Sequence, residues 1–109
     1  MAKGIMIALT NPVSADRDDE FNHWYNNVQG KEVTGLGGFA SMTRYKVWAQ
    51  VVPPGDEPRY QYLAFYELDD VDQALRSLAE GAAKFEVSDS VDLPNALGLA
   101  FEKIFSTRD

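Results

Sequence analysis

A chain of 109 residues with 45% apolar content and no cysteine holds enough hydrophobic material for one core. A single domain spanning residues 1–109 is therefore expected, and disulfides, thiolate metal sites and a cysteine nucleophile are excluded. The formal charge of −7 argues against a nucleic-acid partner, because phosphate binding needs a basic surface. No apolar run approaches the roughly 18 residues of a membrane helix, so a soluble, cytoplasmic protein with no membrane association is expected.

Residues 3–9, KGIMIAL, are a short Ile- and Met-rich run closed by Asn11-Pro12, and they predict a buried strand. Ser14-Ala15-Asp16 is suited to cap a helix. Asp16, Asp18, Asp19 and Glu20 then fall in the first turns, where the helix dipole favours negative charge. This helix is expected to run to Val33 or Thr34 and to stop at Gly35-Leu36-Gly37-Gly38, whose glycines permit a left-handed cap and a tight reversal.

At about 100° per residue, Phe21, Trp24, Tyr25, Val28 and Glu32 share one helix face, with Gln29 on its shoulder. Asn22, His23, Asn26 and Gly30 point the other way. The apolar face packs inward, so a carboxylate is expected near its centre and the one histidine is expected at the surface.

Residues 39–52 alternate as one long strand. Phe39, Ser41, Thr43, Tyr45, Val47, Ala49 and Val51 lie on one side of it, and Ala40, Met42, Arg44, Lys46, Trp48 and Gln50 on the other. PPGDEP at residues 53–58 is a turn, and residues 59–68 are the return strand, with Tyr60, Tyr62 and Tyr66 on one face. Asp69-Asp70 opens a second helix from Val71 to about Lys84, with Val71, Ala74, Leu75, Leu78 and Ala82 as its apolar stripe. Residues 85–94 read as a loop and residues 95–105 as a last strand.

The order β-α-β-β-α-β predicts an α+β, ferredoxin-like fold: a four-stranded antiparallel sheet with two helices on one face. Two helices cannot cover both faces of such a sheet. A homodimer through the open sheet face is the expected solution, since a bare apolar face would aggregate.

The stretch Phe21-Asn22-x-Trp24-Tyr25, then Gly30-x-Glu32-Val33, a Gly-rich turn with Phe39, and Arg44-Tyr45 resembles the EthD-like family of the dimeric α+β barrel superfamily. That family carries a W-Y-x-x-x-H-x-P-E pattern on this helix, followed by a P-G-F turn and a strand with a basic-aromatic pair. Gln29 stands at the family's histidine position, and Lys31 at the proline. The resemblance spans roughly residues 21–47 and implies a small protein of catabolic or polyketide-type pathways, with its pocket between the sheet and the two helices.

In that pocket Glu32 is a candidate general base, with a helix-end carboxylate paired to Lys31 or Arg44 as the alternative. Tyr25 and Gln29 are candidate hydrogen-bond donors to a developing enolate. Arg44 would hold an anionic group if Arg44, Lys46 and Trp48 face the helices; with the opposite parity Tyr45 and Thr43 take that place, and the sequence leaves both open. Trp24, Val28, Trp48, Phe21 and Tyr62 are the expected substrate-binding residues. No Ser-His-Asp arrangement and no His/Asp metal spacing is present, so neither metal nor cofactor is expected.

The expected function is a cofactor-independent proton-transfer enzyme (lyase, isomerase, dehydratase or cyclase) for a hydrophobic aromatic, polyketide-like or carbonyl-bearing small molecule. A non-catalytic ligand-binding or accessory protein of the same fold, or a cofactor-free monooxygenase, is the alternative.

Overall fold

In the computed structural model, which describes residues 2–108, the apolar runs become four strands: β1 Gly4–Thr10, β2 Phe39–Lys46, β3 Tyr62–Leu68 and β4 Leu97–Glu102. They pair antiparallel in the order β2-β3-β1-β4. The most apolar strands, β1 and β3, are thus central, and the ferredoxin-like α+β arrangement expected from the element order is adopted.

The first helical stretch is one continuous rod in three parts: α1 Asp18–Trp24, a π turn at Tyr25–Gln29, and α2 Gly30–Thr34. A π turn holds one residue more than an α turn, so every residue beyond it lags by one position around the axis. Val33, only 1% exposed, therefore takes the inward place expected of Glu32. Gly30, expected to face solvent, is buried against Met42; a Cβ there would stand 2.5 Å from the Met42 Cε.

Ser14 is not the expected cap. Its hydroxyl donates to the Asp16 carboxylate, and a 3₁₀ turn at Ala15–Arg17 leads into the rod. Asp70, by contrast, does cap α3 (Val71–Gly81), accepting from the Gln73 N–H. Ala74 is the buried residue of that helix, with Val71 and Leu78 packed beside it.

The strand expected over residues 39–52 ends at Lys46, and its partner begins only at Tyr62. Asn11 explains part of the difference. Its side chain donates to the Arg59 carbonyl and accepts from the Gln61 N–H, occupying backbone groups that a longer ladder would use. Residues 51–57 are exposed, as is the preceding Trp48.

On the helix side of the sheet, Met6, Tyr62, Ala64, Tyr66 and Leu68 form the core with Phe21, Trp24, Tyr25, Val33 and Ala74. The opposite face carries Ile5, Ile7, Phe65 and, from β4, Leu97, Leu99 and Phe101, as their cross-strand pairing requires. Those three β4 side chains are 41–45% exposed. Among the described residues no helix is long and apolar enough to cross a membrane.

Two glycines have positive φ, at +92° for Gly38 and +84° for Gly55, but different surroundings. A Cβ on Gly38 would meet the Ala74 backbone nitrogen at 2.4 Å, whereas one on Gly55 meets nothing. Denaturant unfolding should therefore show Gly38→Ala destabilised by about 3 kcal/mol and Gly55→Ala by about 1 kcal/mol.

Candidate functional site

The edge strand β2 turns Met42 and Arg44 toward the helices, which settles the strand's parity in favour of Arg44. The Arg44 guanidinium lies over the Tyr25 ring at 4.5 Å, with the Tyr62 and Phe21 centroids at 5.2 and 5.4 Å. One nitrogen, Nη1, donates to the Asn22 and Asn26 side-chain oxygens at 2.9 and 3.0 Å. The other two, Nε and Nη2, are buried without a hydrogen-bond partner.

The ion pairs among the described residues join Arg17 to Glu20 and to Asp89, and none reaches Arg44. A half-buried cation held by rings and neutral amides is unusual, because unpaired buried charged donors forfeit more than about 1–3 kcal/mol each in desolvation. Burial lowers the proton affinity of Arg44; the phenols of Tyr25, Tyr62 and Tyr66 and the Asp18 carboxylate oppose that.

A chain of hydrogen bonds leads away from the cation, every donor pointing the same way. Arg44 donates to the Asn22 carbonyl oxygen, the Asn22 amide donates to the Tyr62 hydroxyl at 3.2 Å, and that hydroxyl donates to Asp18 Oδ1 at 2.5 Å. Burial, and next the bond to Asp18, raise the Tyr62 pKa. Deeper in the core the Tyr66 hydroxyl donates to that of Tyr25 at 3.3 Å, and burial raises the pKa of both. On the far side of Asp18 lies an open polar cavity of about 450 Å³, walled among others by Asn11, Ser14, Lys46, Gln61 and Asp92.

Of the residues expected at the site, Phe21, Tyr25, Arg44 and Tyr62 come together. Trp24 is buried beside them, but its indole N–H donates to the Glu86 carbonyl at 2.8 Å. Glu32 accepts from the N–H of the same residue at 3.1 Å and has no contact with Arg44. The one-residue lag of the π turn moved it off the inward face, so it and Trp24 clamp the segment after α3. Val28 packs half-buried against the core, and Gln29 has a buried, unpartnered side-chain oxygen within the π turn.

Trp48 is a correction: it is 99% exposed, beyond the end of β2, and does not join the residues around Arg44. His23 is exposed as expected, next to Asn27. Among the described residues no cluster of His, Asp and Glu is placed to hold a metal. Sequence reasoning missed Asp18, Asn22 and Asn26. Their signal was a polar stripe at four-residue spacing, which on an isolated helix reads as a solvated face. Comparison with family models, curated proteins and solved structures finds no match for this chain.

Replacing Glu32 with Ala should cost about 1 kcal/mol in denaturant unfolding and speed hydrogen exchange at the Glu86 amide. Alkaline titration tests the buried phenols. An unfolded chain releases phenolic protons around pH 10, while the native chain retains those of Tyr25, Tyr62 and Tyr66. The unfolded state then binds fewer protons than the native one, so stability falls as pH rises through and above that range. Phenolate absorbance from Tyr25 and Tyr66, two of the five tyrosines, should appear only with unfolding.

Proposed function

We propose that the protein is a soluble, cytoplasmic, cofactor-independent enzyme of the EthD-like type that moves a proton next to a carbonyl group in an aromatic or polyketide-like small molecule. The observation that carries this reading is Arg44, a half-buried guanidinium with two buried, unpartnered nitrogens and no ion-pair partner among the described residues. In this reading the acceptor for those two nitrogens comes from outside the chain. An enolate or carboxylate oxygen supplies the planar acceptor that Nε and Nη2 are built to meet.

Proton loss from the carbon next to a carbonyl concentrates negative charge on the carbonyl oxygen. A cation already desolvated and fixed by Asn22 and Asn26 stabilises that charge without having to reorganise. The rings of Tyr25, Phe21 and Tyr62, packed against the guanidinium, make the surroundings of the charge apolar. Access in this reading is beside the π turn, where Asn26 is exposed and bonded to Arg44. Glu32, held on the Glu86 amide, has no part in this scheme.

The active species in this proposal is a homodimer joined through the open sheet face. Every residue of β4 is exposed, and the face also carries an open cavity of about 530 Å³ between Ile5, Phe65, Phe101 and the C-terminal Ile104 and Phe105. Burial of such a surface against a second copy is the strongest driving force available to it. The second reading, a binding protein without chemistry, is favoured by Gln29, a neutral amide at the position of the resembling family's histidine.

Proton NMR in D₂O, following deuterium uptake next to the carbonyl in acetophenone and larger aryl ketones, separates the two. Wild-type protein should accelerate uptake, and Arg44→Met should slow it by about 10²–10³-fold. Uptake by Arg44→Met at the wild-type rate would sink the catalytic reading, and ketone binding without uptake would establish the binding one. Light scattering should give twice 12.2 kDa, and a monomer would remove the dimer from the proposal.

A further inference from the structure

The scheme above leaves the departing proton without a destination. Glu32 is engaged elsewhere, Gln29 is a neutral amide, and His23 faces solvent on the far side of the rod. Two groups next to Arg44 are bonded in the sense a proton would travel. We infer that Tyr62 and Asp18 form a two-step proton relay, in which Tyr62 takes the substrate proton and passes its own to Asp18 at the polar cavity.

The geometry is already that of a relay. The Tyr62 phenol donates to Asp18 Oδ1 at 2.5 Å, the shortest kind of bond a phenol makes to a carboxylate. Its oxygen accepts one bond, from Asn22, and keeps acceptor capacity for a proton arriving from the Arg44 side. The Tyr62 ring lies 5.2 Å from the Arg44 guanidinium, so the phenol stands between the place where charge develops and the place where the proton leaves. Asp18 itself borders the 450 Å³ cavity, together with Lys46 and Asp92, and can exchange its proton with solvent there.

The C–H bond next to the carbonyl breaks, and its electron pair moves to the carbonyl oxygen, which becomes the enolate held by Arg44. The proton forms a new O–H bond at Tyr62 Oη as the old phenolic O–H breaks, and the released proton bonds to Asp18 Oδ1. Tyr62 ends as a neutral phenol and Asp18 as a neutral acid. Reversal delivers the proton to a different carbon in an isomerisation, or to solvent in exchange.

Tyr62 is the catalytic residue in this relay and Asp18 acts through it, which sets the readouts. The relay rests on the proposed proton-transfer activity and uses the same ketone exchange in D₂O. Tyr62→Phe and Asp18→Asn should each slow exchange by about 10²-fold. Their double variant should be no slower than the worse single, because the two act as a unit, and Asp18→Glu should recover part of the loss.

A second readout needs no substrate. The groups around Tyr62 are Asp18 and Asn22 from the rod and Arg44 from β2, and of these Asp18 raises its pKa. Asp18→Asn should therefore lower the pH at which the ¹³Cζ resonance of Tyr62 titrates.

Arg44-dependent exchange that proceeds at the wild-type rate in Tyr62→Phe or Asp18→Asn would overturn the relay alone, as would losses that multiply in the double variant. Absence of exchange in wild-type protein would overturn the proposed activity and the relay with it. An unchanged Tyr62 titration in Asp18→Asn would show that the two are not coupled, which also overturns it.

Discussion

The half-buried guanidinium of Arg44 is the constraint around which the helix–sheet interface is arranged. A cation cannot be enclosed by alkyl side chains alone, and the residues around it are those that tolerate it best without neutralising it. Three aromatic faces provide quadrupoles, and two asparagine oxygens take up one nitrogen. The nearest acid along the bonded chain, Asp18, stands one neutral side chain away, beyond Asn22. A carboxylate in direct contact would make this a stable and chemically silent ion pair. Distance between the two charges keeps the cation responsive to an incoming acceptor and leaves the anion free to accept a proton.

That arrangement works only if the rod stays seated on the sheet, and much of the remaining polar bonding serves this end. The segment after α3 is gripped from both sides at Glu86, by the Trp24 indole and the Glu32 carboxylate. Arg17 holds Asp89 in the same segment while also bonding Glu20 at the start of the rod. Backbone bonds from Val13 to Ser90 and from Asp92 to Asn11 complete the attachment beside β1. The loop that separates α3 from β4 is therefore a strap, and it holds the site closed at the end opposite the edge strand.

Periodicity made the fold legible. A short apolar run located β1, alternation located β2 and β3, the paired aspartates placed the start of α3, and the glycine-rich turn marked the end of the rod. Pairing between distant residues was not legible: Asn11 truncating the long hairpin, or Asp18 meeting a tyrosine 44 positions later, leaves no trace in local pattern. Arg44 and Tyr25 were visible as candidates because charge and aromatics on a half-polar strand and an apolar helix face are anomalies. Asn22 and Asn26 were hidden for the opposite reason. Polar residues on the polar side of a helix are what any solvated helix shows, and only the edge of the sheet gives them a partner.

The π turn at Tyr25–Gln29 also has a bearing on how this chain is to be set beside any other. Positions before it and after it follow different rotational registers, so one ungapped alignment across the helix cannot match both halves of a regular α-helix in space. A relative with an uninterrupted helix would have its side chain over Met42 at the position that a letter-by-letter alignment assigns to Gln29, whereas here that place belongs to Gly30.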